Sequence, residues 1–146
     1  MEISQQGAPA RLRALPTRLV TQVALVANRA TERALNATGS RRYHYALLAS
    51  LGEFGAISQA DLGRRTRIDR SDIVATVNEL AERGFVERSP DEGDRRRKIV
   101  TITDAGTAHL AELDERLAGA QDELLAGLDP AERAELVRLL TRILDR

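Results

Sequence analysis

Residues 91–98 read DEGDRRRK, a glycine among acids followed by Arg95, Arg96, Arg97 and Lys98 in unbroken succession. A second basic cluster lies upstream: Arg64, Arg65, Arg67 and Arg70, the last followed by Ser71 and Asp72 and, one turn on, Thr76. A guanidinium is always charged and presents a planar fork of donors that fits phosphate and the O6/N7 edge of guanine. A carboxylate such as Asp72 can accept from cytosine N4, and a threonine can touch a thymine methyl or a phosphate. The chemistry on offer is therefore recognition of a polyanion rather than bond breaking.

The rest of the composition agrees. The chain has 146 residues and a formal net charge of zero, yet the segment 1–102 carries a surplus of +5 and the segment 103–146 one of −5. Because 21 of the 22 basic residues are arginine, position rather than frequency must carry the argument. No cysteine is present, which removes disulfides, thiolate nucleophiles, thiol redox sensing and most structural zinc sites. His44 and His109 are the only histidines, so metal or Ser-His-Asp catalysis is poorly supplied, and no phosphate-cradling glycine loop occurs. We expect no enzyme activity, cofactor or metal. No stretch approaches the roughly 20 apolar residues of a membrane span, and the start lacks a signal peptide's apolar run; the expected location is cytoplasmic, with no membrane partner.

The elements that must hold these clusters can be read from periodicity. Leu12, Leu15, Leu19, Val23, Val26, Ala30 and Ala34 form the stripe of an amphipathic helix, kinked or started by Pro16 and ended by NATGS. RRYHYALLASLGEFG predicts a second helix with Tyr43, Leu47, Leu51 and Phe54 inward, stopping at Gly55. Ser58 then precedes a short helix anchored by Leu62. Asp69 caps a longer one, with Asp72 three residues on, Ile73, Val77 and Leu80 inward, and Gly84 at its end. Two helices joined by a short turn read as a helix-turn-helix. FVERS and RKIVTIT alternate about PDEGD and predict a hairpin with the basic run near its tip. Thr103 caps a long helix bearing Leu110, Leu113, Leu117 and Leu124, and Asp129-Pro130 opens a last one.

The fold class is thus mainly α with a small β-hairpin wing: a winged helix-turn-helix core flanked by N- and C-terminal helices used in dimerisation. The second helix of the pair suits a major groove, with Arg70, Ser71, Asp72 and Thr76 toward base edges. The wing, with Arg95, Arg96, Arg97 and Lys98, suits the adjacent minor groove, whose negative potential draws arginine. Arg64, Arg65 and Arg67 are candidates for phosphate.

Residues 56–106 resemble the winged-helix core of the MarR family of bacterial transcriptional regulators, most specifically in DRRRKIVTITDAG, and before it in LAERGFVER. The resemblance implies that Asp94 positions the wing by an ion pair with Arg96, which reaches into the minor groove. It also implies a homodimer built from the first and the last two helices, and a small-molecule effector bound between the dimer helices and the DNA-binding domain, where Tyr43, His44 and Tyr45 are candidate ligand contacts. The chain departs from the family pattern at SRRYHYALL, where many members carry Pro-Gln-aromatic. Expected divisions are 1–40 for the N-terminal dimerisation helix, 41–106 for the DNA-binding domain and 107–146 for the C-terminal dimerisation helices. A two-fold dimer would meet double-stranded DNA carrying an inverted-repeat operator. The expected function is a homodimeric repressor released by a small ligand; the alternative is a winged-helix adaptor that binds protein rather than specific DNA.

Overall fold

The computed structural model describes residues 5–146; residues 1–4, the head of the expected N-terminal dimerisation segment, lie outside the described residues. In chain order the elements are α1 (Ala10–Arg13), α2 (Pro16–Asn36), α3 (Arg42–Phe54), β1 (Ile57–Ser58), α4 (Gln59–Thr66), α5 (Arg70–Glu82), β2 (Val86–Pro90), β3 (Lys98–Ile102), α6 (Asp104–Leu124) and α7 (Pro130–Leu144). No helix of the described residues is long and apolar enough to cross a membrane. The structure is mostly helical with one small antiparallel sheet, as expected. The chain forms two compact units: Glu32–Leu117, and the N-terminal stretch through Thr31 together with Ala118–Arg146.

Within Glu32–Leu117 the core is aliphatic. Leu35, Leu47, Leu48, Leu51, Leu62, Ile73, Val77, Leu80, Val86, Val100 and Leu113 form one buried cluster. It takes one face from each of α3, α4 and α5 and closes on the sheet. The sheet order is β1-β3-β2, with Val86 opposite Ile102 and Pro90 opposite Lys98 in the hairpin. β1, which sequence reading missed, is only two residues long and pairs Ile57 with Val100 and Ser58 with Ile99. Strand β3 is therefore held on both edges, and the wing leaves the body on a fixed base.

Several predicted boundaries hold for the expected reasons. Pro16 opens α2, leaving α1 as a separate turn. Ser58 Oγ accepts from Asp61 N at 3.1 Å, and Thr103 Oγ1 accepts from Gly106 N at 3.0 Å while donating to the Gly84 carbonyl at 2.6 Å. Asp129 and Glu132 form a reciprocal capping box. Gly55 and Gly84 both have φ of +78°, the left-handed region that glycine reaches without a Cβ penalty.

Two expectations fail. Asp69 stands at the N-cap of α5 but its side chain makes no capping bond; it is exposed, and burial of Ile73, Val77 and Leu80 holds the helix instead. In α3, Tyr43 and Phe54 are not inward but 45% and 47% exposed, and Leu47, Leu48 and Leu51 make the buried face. The spacing is helical in both registers, and the denser leucine stripe wins because it removes more apolar surface from water.

In the other unit, Arg133 ties the start of α7 to the end of α6, reaching Asp122 at 2.7 Å and the carbonyls of Leu125 and Leu128. Val20 and Val23 of α2 and Val137, Ile143 and Leu144 of α7 are more than half exposed.

Candidate nucleic-acid interface

Helix α5 presents Arg70, Ser71, Ala75 and Asn78 outward and Ile73, Thr76, Val77 and Leu80 inward. Its outer face begins at the N-terminus, where backbone N–H groups and the helix dipole also favour anions. Beside it opens a groove of about 650 Å³, walled by Arg64 of α4, Arg70 of α5, and Arg96, Arg97 and Lys98 of the wing. Two consecutive helices and a wing about 25 residues further along the chain thus bring five cations round one concavity.

The wing tip is shaped by its acids. Asp91 Oδ1 accepts the N–H of Gly93 at 3.0 Å, and Asp94 Oδ1 accepts the N–H of Arg96 at 3.0 Å while the Asp94 carbonyl accepts the N–H of Arg97 at 2.9 Å. The implied ion pair between Asp94 and the Arg96 guanidinium is replaced by this turn. Two residues on, the carboxylate reaches the backbone more easily than the end of a long side chain. Asp94 holds Arg96 by its main chain, and among the described residues neither Arg95 nor Arg96 has an ion-pair partner. Arg97 differs: it leans back toward Asp61 at 3.7 Å and Asp91 at 3.9 Å. These are long contacts between partly exposed groups, worth little in water.

The remaining predicted residues divide. Arg64 pairs with Asp61 one turn away. Arg65 lies over the Phe54 ring, 4.2 Å from its centroid, so part of its face is taken by a cation–π contact. Arg67 closes α4 in the left-handed region at φ +55°, the only non-glycine to do so among the described residues. Ser71 is exposed and Asp72 half-buried. Thr76 is misassigned as a base contact: it is 2% exposed and its hydroxyl donates to the Asp72 carbonyl at 2.6 Å. Its place three residues after Ile73 and four before Leu80, both buried, puts it on the core side of α5.

Sequence reading missed Asn78 and Arg88. Asn78 continues the exposed face of α5, and Arg88 of β2 donates to its side-chain oxygen, tying helix to wing base. The signal was present in the spacing of 71, 75 and 78, which is one helical face.

The three adjacent residues proposed for ligand contact point three ways. Tyr43 is exposed. Tyr45 donates to Asp114 Oδ1 at 2.7 Å; that bond and partial burial raise its pKa. His44 is 3% exposed, its Nδ1 accepting the N–H of Arg41 at 2.9 Å and its Nε2 lying 2.6 Å from Glu79 Oε2. A buried ring with both nitrogens engaged is a structural residue, which corrects its assignment as a ligand contact. Among the described residues no cluster of His, Asp and Glu is placed to hold a metal ion.

Comparison with known proteins agrees with this geometry. The model of the MarR family matches residues 38–97, which include α3, α4, α5, β2 and the hairpin tip up to Arg97. The chain is 33% identical over 101 residues, 69% of its length, to the HTH-type transcriptional repressor NicR of Pseudomonas putida. The matches span only 60% to 64% of the lengths of the curated relatives. A probable transcriptional regulator from Pseudomonas aeruginosa superposes with a TM-score of 0.79 at 31% identity, covering 91% of this chain and 99% of that one. BpsR of Bordetella bronchiseptica, whose DNA binding is regulated by 6-hydroxynicotinic acid, superposes at 0.80 with 25% identity over 94% of this chain and 99% of its own. With its winged helix, its basic hairpin tip and relatives of this kind, the chain belongs to the MarR family of transcriptional regulators.

Proposed function

We propose that the protein is a homodimeric, sequence-specific regulator that binds double-stranded DNA at an inverted repeat and represses nearby genes until a small aromatic acid releases it. The observation that carries the reading is the convergence of Arg64, Arg70, Arg96, Arg97 and Lys98 on one groove beside the exposed face of α5. Arg70 and Ser71 would read base edges from the major groove, and Arg95 and Arg96 would lie over the adjacent minor groove. Arg64, Arg67 and Lys98 would neutralise phosphates and release counterions.

Arg67 supports this from its backbone. A non-glycine residue in the left-handed region costs roughly 1–2 kcal/mol, and glycine would remove that cost, so the arginine side chain earns its place by something other than folding. The dimer is supported by Val20, Val23, Val137, Ile143 and Leu144, apolar side chains that water would otherwise meet. Release fits a population shift, the effector binding better to a dimer whose reading helices are wrongly spaced.

The test is binding of the full chain to the DNA upstream of its own and neighbouring genes, against a scrambled duplex. The reading predicts about 10³-fold or greater preference for one upstream site, lost on adding the cognate aromatic acid. Weak binding that is equal on all sequences would instead mark an adaptor for protein partners.

A further inference from the structure

The only two histidines in the chain are both buried, and both connect to one face of the last turn of α5. Glu79 in that turn and Arg83 at the C-cap stand four residues apart and so share a face. Glu79 accepts from Arg41 at 2.7 Å and from His44 Nε2 at 2.6 Å. Arg83 donates to the carbonyls of Thr38 and Gly39 and to Ser40 Oγ at 3.0 Å. Ser40 Oγ in turn lies 2.7 Å from His109 Nε2.

Proton counting fixes both rings. His44 Nδ1 accepts a backbone N–H from Arg41, so it carries no proton, and the proton sits on Nε2, facing Glu79. Ser40 is fully buried; its oxygen accepts from Arg83, and His109 Nε2 is the acceptor within reach of its hydroxyl proton. His109 therefore carries its proton on Nδ1, 3.4 Å from Glu112 Oε2, while its ring stacks on Phe85 at 4.2 Å. The two imidazoles are opposite tautomers, and each has one nitrogen that must stay bare. A second proton would set two donors against each other at Arg41–His44, and at Ser40 would aim two cations at one oxygen and orphan a buried hydroxyl.

We infer that Glu79 and Arg83 position the reading helix through two relays that close only around neutral imidazoles, so that mild acid unseats α5 and weakens operator binding. The inference rests on the DNA-binding reading above. The charged groups facing the rings are Arg41 ahead of α3, Glu79 and Arg83 of α5, and Glu112 of α6. Burial lowers the pKa of both histidines; the carboxylates oppose that shift and the arginines reinforce it. The sign follows: with folded values below the ordinary 6.5, the stabilisation is complete above about pH 6.5 and is lost as pH falls through the lowered values.

The experiment has two arms. In the first, the affinity of the full chain for its upstream site is followed from about pH 7.5 to 5.5, beside a His44→Asn/His109→Gln variant whose neutral amides keep an acceptor in place of each bare nitrogen. The wild type should lose roughly tenfold or more, since each linked proton contributes at most about tenfold per pH unit, and the variant should stay nearly flat. Glu79→Gln, which keeps an acceptor for Nε2 but removes a charge that favours imidazolium, should leave the onset of the loss in place, deepen it and extend it to lower pH. A wild-type profile that is flat, or that the variant reproduces, overturns the inference. In the second arm, ¹⁵N shifts of the imidazoles in the free wild-type chain at neutral pH should show His44 protonated at Nε2 alone and His109 at Nδ1 alone. Matching tautomers or charged rings overturn it without reference to DNA. Failure of the wild type to bind any duplex at pH 7.5 would instead sink the DNA-binding reading, leaving this arm to decide the relays.

Discussion

Arginines of similar exposure on this surface are not equivalent, because each is held differently. Arg96 is fixed by its backbone to Asp94 and keeps its guanidinium clear of carboxylates, whereas Arg97 is drawn toward Asp61 and Asp91. Arg67 sits in a backbone conformation that glycine would adopt more easily. Substituting Arg67→Gly should therefore leave thermal stability unchanged or raise it, by up to about 1 kcal/mol from relief of the left-handed strain, while DNA affinity falls. If stability and affinity fall together, the side chain has a folding role that this account omits. Thr76 gives the converse test. Its hydroxyl bonds the Asp72 carbonyl inside the core, so Thr76→Val should cost about 1 kcal/mol of stability and leave base preference untouched in a binding-site selection.

The elements are held together where backbone meets backbone. At the start of α6, a Cβ on Gly106 would overlap the Phe85 carbonyl oxygen and stand 2.8 Å from Ile102 Cγ1. Gly106→Ala should therefore destabilise the chain by about 1–3 kcal/mol or more, read as a lowered denaturant midpoint, because a carbonyl in a strand approach cannot turn aside as a side chain can. The glycine in TDAG was visible in the sequence, but its reason was not: the approach of Phe85 to α6 joins residues about twenty apart. The same limit explains the other misses. Helices, caps at Thr103 and Asp129, and the hairpin follow from patterns within a few residues and were legible. Strand β1 is two residues long and exists only because β3 offers it an edge. Thr76 and Asp69 were judged by residue type; Thr76 faces the core with Ile73, Val77 and Leu80, and Asp69, ahead of the first turn, leaves its side chain exposed without a capping bond. At the candidate site, position along the chain was enough to name the arginines; their grouping round one groove needed the fold.

For the whole molecule, charge is divided between a basic first two-thirds and an acidic tail, although the total is zero. On the proposed reading the basic region meets the duplex and the acidic helices serve assembly, and that self-association is testable apart from DNA. Replacing Ile143, which is 55% exposed, by Asp should convert a dimer to monomers in sedimentation velocity and weaken binding to an inverted repeat far more than to a single half-site. An unchanged sedimentation coefficient would place the interface elsewhere.

The central claim, that α5 and the wing grip neighbouring grooves of one duplex, is tested most directly by the salt dependence of binding for the wild type, Arg96→Ala and Arg70→Ala on an operator and its single-base variants. The account predicts that Arg96→Ala weakens binding to every sequence and flattens the log-affinity against log-salt slope by about one. Arg70→Ala should cost about 1–3 kcal/mol and erase preference at one base pair only. Two substitutions that leave affinity, slope and base preference as they were would contradict it.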